Sequence, residues 1–200
     1  NKLDLPRYGL GNYIAPSPAE PPSHIEAKQI ENLSRAGKRL MGFCRTGLFK
    51  RLESSGAVFL QSIERHILRN YVYIHAIEND LPVPIGTQDV EMLDSRVYDE
   101  DVDDINARLD FEEDADENGS KDHRQTLHTL EEFRRKAEEV YAFYTEQAHR
   151  RFKWLRSDLF IPELRNDLES DAKSLLKILK NAGQWEPAAD EKLQTLAATL

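Results

Sequence analysis

The sequence predicts an all-α fold, an antiparallel helical hairpin plus further long helices in an elongated bundle, with an acidic linker between them. Three observations carry this expectation. Apolar residues recur at steps of three and four over several separate stretches, the spacing that lines one face of a helix. The prolines stand between those stretches, at Pro6, Pro16, Pro18, Pro21, Pro22, Pro82, Pro84, Pro162 and Pro187, where they interrupt no helical ladder. Hydrophobic residues make up 40% of the 200-residue chain and charged residues 32%. That balance suits helices with a single apolar stripe better than a sheet covered on both faces.

Residues 1–23 hold five prolines and two glycines, and read as an extended lead-in that Tyr8, Leu10, Tyr13 and Ile14 anchor against a neighbour. A first helix begins after Ser23, an N-cap with Glu26 three residues on. Its stripe is Ile25, Ile30, Leu33, Leu40, Met41, Cys44, Leu48 and Leu52. Ser54-Ser55-Gly56 breaks it. A second helix follows on Phe59, Ile63, Ile67, Tyr71, Ile74 and Ile77, and stops before Leu81-Pro82-Val83-Pro84. Together these form a basic helical hairpin over 24–86.

Residues 87–122 form an acidic segment. From Asp89 to Asp122 there are fifteen acids and three bases. The net charge is −9, so the remainder of the chain is slightly basic. Residues 123–200 read as a long helical region. Leu127, Leu130, Ala137, Tyr141, Tyr144, Ala148, Phe152 and Leu155 predict one long helix. Leu164, Leu168, Leu175, Leu176, Leu179 and Ala182 predict another, opened by Pro162 and stopped by Gly183. A last helix starts after Pro187. No strand is expected.

The charge argues against a dedicated nucleic-acid binder, and no apolar run reaches the length of a membrane span. One cysteine, Cys44, rules out an internal disulfide and fits a reducing, cytoplasmic setting. Both chain ends read as cuts in a longer protein. No catalytic residue, cofactor or metal is expected within the chain. Gly37-Lys38 lacks the rest of a phosphate-cradling loop. Glu146 and His149 have the i, i+3 spacing of a carboxylate-bridged metal bundle, but the second pair such a bundle needs is missing. Ser170-Asp171-Ala172-Lys173 fits a serine–lysine pattern without its partners.

One stretch stands out. Between Ser34 and Leu52 lie Arg35, Lys38, Arg39, Arg45, Lys50 and Arg51, and no acid. These six are the candidates for holding a nucleic-acid backbone; a solvated helix face or a partner for the acidic segment is the alternative. A second cluster, Arg150, Arg151, Lys153 and Arg156, is expected to complement the dipole at the end of the third helix.

The residues Arg39-Leu40-Met41-Gly42-Phe43-Cys44-Arg45-Thr46-Gly47-Leu48-Phe49-Lys50-Arg51-Leu52-Glu53-Ser54-Ser55-Gly56 resemble a segment of bacterial SWI/SNF-type helicases. Leu81-Pro82-Val83-Pro84-Ile85-Gly86 looks like the subset that carries a phospholipase D-like domain. Asp190-Glu191-Lys192-Leu193-Gln194-Thr195-Leu196 is similar to the helix leading into the second motor lobe. The resemblance implies a helical region between two RecA-like lobes, which bind ATP and magnesium elsewhere in the parent protein and act on DNA. The fragment itself is then non-catalytic. The competing expectation is a helical protein–protein interaction module, using the stripe of the third helix and having no nucleic-acid role. The oligomeric state is left open by both.

Overall fold

The structure, a computed structural model, describes residues 3–85 and 127–182, apart from the side chains of residues 36–40, 54 and 57. The acidic segment, Gly183 and the helix expected after Pro187 lie outside the described residues. Within them the fold is all-α. It has four α-helices, α1 (His24–Ser54), α2 (Gly56–Glu78), α3 (Leu130–Glu146) and α4 (Glu163–Ala182). Two short strands, β1 (Val83–Ile85) and β2 (Lys153–Leu155), accompany them. None of these helices is long and apolar enough to cross a membrane.

Helix α1 starts where the sequence predicts. The Ser23 hydroxyl accepts from the Glu26 amide at 3.3 Å, and the Glu26 carboxylate accepts from the Ser23 amide at 2.7 Å. This reciprocal box satisfies two donors that a helix start leaves over. Ser55 is extended, and the chain turns there into α2. Arg51 reaches Ser62 and Cys44 faces His66, so α1 and α2 run antiparallel as a hairpin.

Helix α2 is the centre. Tyr71, Val72, Tyr73 and Ile74 are buried in succession. Four consecutive buried residues take in a full turn, so this part of the helix must be covered on every side. Helices α3 and α4 supply most of that cover, through Phe133, Ala137, Val140, Tyr141 and Tyr144 from one and Leu164, Leu168, Ala172, Leu175 and Leu176 from the other. The hairpin and the C-terminal helices therefore share one core. Helix α1 is more marginal: Leu33 is buried and Ile30 and Leu48 pack at the core's edge, but Ile25 and Leu52 of its predicted stripe are exposed.

The expected third helix is shorter than its stripe. Thr129 and Glu132 form a second capping box, and α3 ends at Glu146. The chain then makes a short 3₁₀ turn and enters β2. Strand β2 pairs antiparallel with β1 in the register Val83↔Leu155, Pro84↔Trp154 and Ile85↔Lys153. No strand was expected because each is only three residues long and its partner is remote in sequence. Ala148 and Leu155 still enter the core, which is why their spacing imitated a continuing helix.

The lead-in is also more structured than an extended segment. It winds into two 3₁₀ turns, Pro6–Tyr8 and Leu10–Tyr13. Beyond them, Ala15 donates to the Leu159 carbonyl and Ile161 to the Tyr13 carbonyl, both at 2.8 Å. Leu10 is buried, and Tyr13 and Ile14 pack against the core. Gly11 lies so close to α1 that an added Cβ would sit 2.6 Å from the Ser34 Cα and 2.7 Å from its amide nitrogen.

Those neighbours are backbone atoms, so they cannot rotate away. Gly11→Ala is expected to push the lead-in off α1 and cost about 1–3 kcal/mol, as overpacking does. A lowered denaturation midpoint with unchanged denaturant sensitivity checks it.

Candidate functional site

Two places gather chemistry-bearing side chains near the basic stretch. The first is the outward surface of α1 and the hairpin tip. Arg35 is exposed and paired with Glu31 one turn away. Lys50 is exposed and forms no ion pair among the described residues. Phe43, Phe49, Leu52 and, across the turn, Val58 are exposed by 46%, 67%, 50% and 44%. Phe49 and Leu52 lie on neighbouring sides of the last turns of α1 with Val58 across the turn, so large apolar side chains are open at the hairpin tip. Gly42 and Gly47 lie in the same part of α1, and a Cβ at either would meet nothing within 4 Å.

The other predicted cations are divided. The side chains of Lys38 and Arg39 lie outside what is described. Arg45 donates to the Leu3 carbonyl at 3.0 Å, tying α1 to the start of the lead-in. Arg51 donates to the Ser62 hydroxyl at 2.6 Å, tying it to α2. The structure thus places Arg35 and Lys50 toward solvent, and engages Arg45 with the lead-in and Arg51 inside the hairpin. Sequence spacing alone did not separate the two roles, because all four lie on one helix with no acid between.

The second place is a polar chain beneath the hairpin, which sequence reasoning missed. His66 sits on the inner side of α2, 8% exposed. Its Nδ1 lies 3.1 Å from Arg7 Nη2. A guanidinium only donates, so Nδ1 must be the acceptor, and the neutral ring carries its proton on Nε2. Nε2 faces the Cys44 sulfur at 3.7 Å. Arg7 Nε donates to Asn70 Oδ1 at 2.9 Å, and Asn70 Nδ2 donates to the Leu168 carbonyl at 3.2 Å. The Tyr8 ring closes the side, 5.8 Å from His66 between centroids. Lead-in, α1, α2 and α4 are thereby joined by one chain of polar contacts. Burial, and then the charges of Arg7, Arg69 and Arg51, hold the imidazole well below its ordinary range. Cys44 is half-buried between the helices.

The second basic cluster is not a helix end. Arg156 lies beyond β2 and is held by Glu26 at 3.0 Å, Asp158 at 3.2 Å and Glu20 at 3.3 Å. Glu146 closes α3 and His149 stands in the turn after it, so the two do not share a helix face. Among the described residues no three His, Cys, Asp or Glu side chains come together as a metal site would require. Asp171 is buried, and its carboxylate accepts from the Asp4 and Leu5 amides at 3.0 and 2.7 Å.

Comparison with protein-family models, with curated proteins and with solved structures finds no match.

The His66 site has a definite pH signature. Its folded-state value is depressed, so the unfolded chain takes up a proton that the folded chain refuses. Stability is therefore whole above about pH 6.5 and falls as pH drops below it, by about 1.4 kcal/mol per pH unit until the folded imidazole itself titrates. His66→Gln keeps an acceptor for Arg7 and is expected to flatten this slope between about pH 6.5 and 5. Urea midpoints of the two proteins across that interval check it.

Proposed function

We propose that this chain is a non-catalytic helical region standing between the two motor lobes of a SWI/SNF-type, ATP-dependent DNA helicase or translocase, where it couples the lobes and contacts the DNA backbone. The observation that supports it is the outward surface of α1. That helix spans 31 residues, about 46 Å at the usual rise per residue. It is anchored along one side by the lead-in and α2, and carries Arg35 and Lys50 on the other. A long helix is stiff along its axis and suits the transmission of movement. Cations without base-reading partners suit a phosphate track. ATP and magnesium belong to the flanking lobes of the parent in this reading.

A second reading has its own observation. Phe49, Leu52 and, across the turn, Val58 are exposed near the hairpin tip, which favours a protein neighbour over a phosphate there. The stripe first expected to serve an interaction module is not available for it: Ala137, Tyr141, Tyr144 and Leu155 are buried within this chain. An interaction module would use the hairpin tip. The two readings meet if the tip packs on a motor lobe while Lys50 and Arg35 face DNA.

The test is charge reversal at exposed positions only, since Arg45 and Arg51 also hold the fold. Arg35→Glu with Lys50→Glu is expected to lower DNA-stimulated ATP hydrolysis of the motor-containing protein about tenfold at low salt, with the hydrolysis rate without DNA unchanged. Equal stimulation of variant and parent would remove the DNA contact from the proposal.

A further inference from the structure

The turn between α3 and β2 carries a feature that the fold does not require. His149, Arg150 and Arg151 are all exposed. Arg134, Arg156 and Arg165 are engaged by carboxylates, whereas Arg150 and Arg151 form no ion pair among the described residues. Beside them is a fixed aromatic ledge. The His149 ring is stacked on Trp154 at 5.1 Å between centroids and 17° between planes. The Trp154 indole nitrogen donates to the His149 carbonyl at 3.0 Å, which locks the pair. Tyr141 and Phe152 brace the indole from its edges, with centroids at 5.9 and 6.0 Å. One face of His149 lies on Trp154, and the residue's exposure leaves the other to solvent.

We propose that this turn, residues 149–154, is a contact for single-stranded nucleic acid, in which an unpaired base stacks on the open face of His149 and Arg150 and Arg151 hold neighbouring phosphates. A flat ring fixed in advance loses little freedom when a base lands on it, and base–aromatic stacking is indifferent to sequence. Two free guanidiniums one residue apart supply the complementary charge. A duplex presents no unstacked base to such a ledge, so single strands are favoured over double. Asp158 is held by Arg156, and Glu146, which closes α3, forms no ion pair with either arginine among the described residues. This inference rests on the nucleic-acid part of the reading above, but assigns the contact to a different surface.

Fluorescence anisotropy of fluorescein-labelled oligothymidylate with the 200-residue chain tests it. Arg150→Glu with Arg151→Glu is expected to weaken binding at least about tenfold and to flatten its dependence on log salt by about 1.4, the share of two phosphates on a single strand. His149→Ala is expected to weaken it about tenfold, and His149→Phe to restore it. A duplex of the same length should bind less tightly than the single strand. Circular dichroism confirms that each variant is folded. Unchanged binding in the arginine variant, or in His149→Ala, overturns this assignment. So does loss of binding confined to Arg35→Glu with Lys50→Glu, a result that would leave the α1 contact standing. A wild-type chain that binds no oligonucleotide at low salt overturns both.

Discussion

The carboxylate of Asp171 is where the architecture is held together. Helix α1 contributes few buried side chains of its own, so its place depends on the lead-in that lies against it. That lead-in begins with Leu5 in a left-handed conformation, φ 53°, which a leucine adopts only when its surroundings require it. Asp171, on the inner face of α4, receives the amides of Asp4 and Leu5 and so fixes this bend. Burial raises the carboxyl above its usual range, while the two amides work in the opposite direction by favouring the charged form. From there the chain runs through Arg7 to His66 and Asn70, and through Gly11 to the backbone of α1. Remove the clamp and the buried Leu5 amide loses its acceptor, a loss of about 1–3 kcal/mol.

The exposed character of α1 follows from the same arrangement. Helix α2 is covered by α3, α4 and, on one side, by α1 and the lead-in. Once α2 is enclosed, α1 has only one face to offer it, and the remainder stays at the surface. Phe43 and Phe49 are then left open by geometry, not by a lack of apolar neighbours in the chain. A helix glycine costs roughly 0.5–1 kcal/mol relative to alanine. Gly42 and Gly47 accept that cost at positions where nothing in the described chain would touch a methyl group.

Much of the fold was legible in the sequence, and the failures have physical causes. The capping box at Ser23, the break at Ser55 and the stripes of α2 and α4 are local signals, encoded within a turn or two. The end of α3 is not. Phe152 and Leu155 continue a helical spacing, and only the remote pairing with Val83 and Ile85 makes that stretch a strand. The start of α3 was readable, since Thr129 and Glu132 have the same spacing as Ser23 and Glu26. Of the candidate site, the basic composition of α1 was visible, but composition does not say which arginines turn inward. Arg45 and Arg51 are distinguished from Lys50 by Leu3 and Ser62, contacts that exist only after the hairpin and lead-in close. His66 carries no sequence signal at all: a lone histidine in an apolar stripe acquires its meaning from Arg7, 59 positions away.

The central helix also sets the relation between the two basic surfaces. The hairpin tip stands at the start of α2, next to Ser55. The aromatic ledge stands near its end, where His75 packs on Tyr141 and Tyr141 on Trp154. From Ser62, opposite Arg51, to His75 is thirteen residues, about 20 Å of helix. Because α2 is one unbroken helix, buried in succession from Tyr71 to Ile74, that separation is set by its axis. A strand contacting both surfaces would be held at two points a fixed distance apart, with the apolar tip free to meet a neighbouring domain. A rigid spacer of this kind positions a backbone without reading its bases, and it needs no chemistry of its own. Under the proposed reading, such a spacer would hold the track while neighbouring motor lobes move.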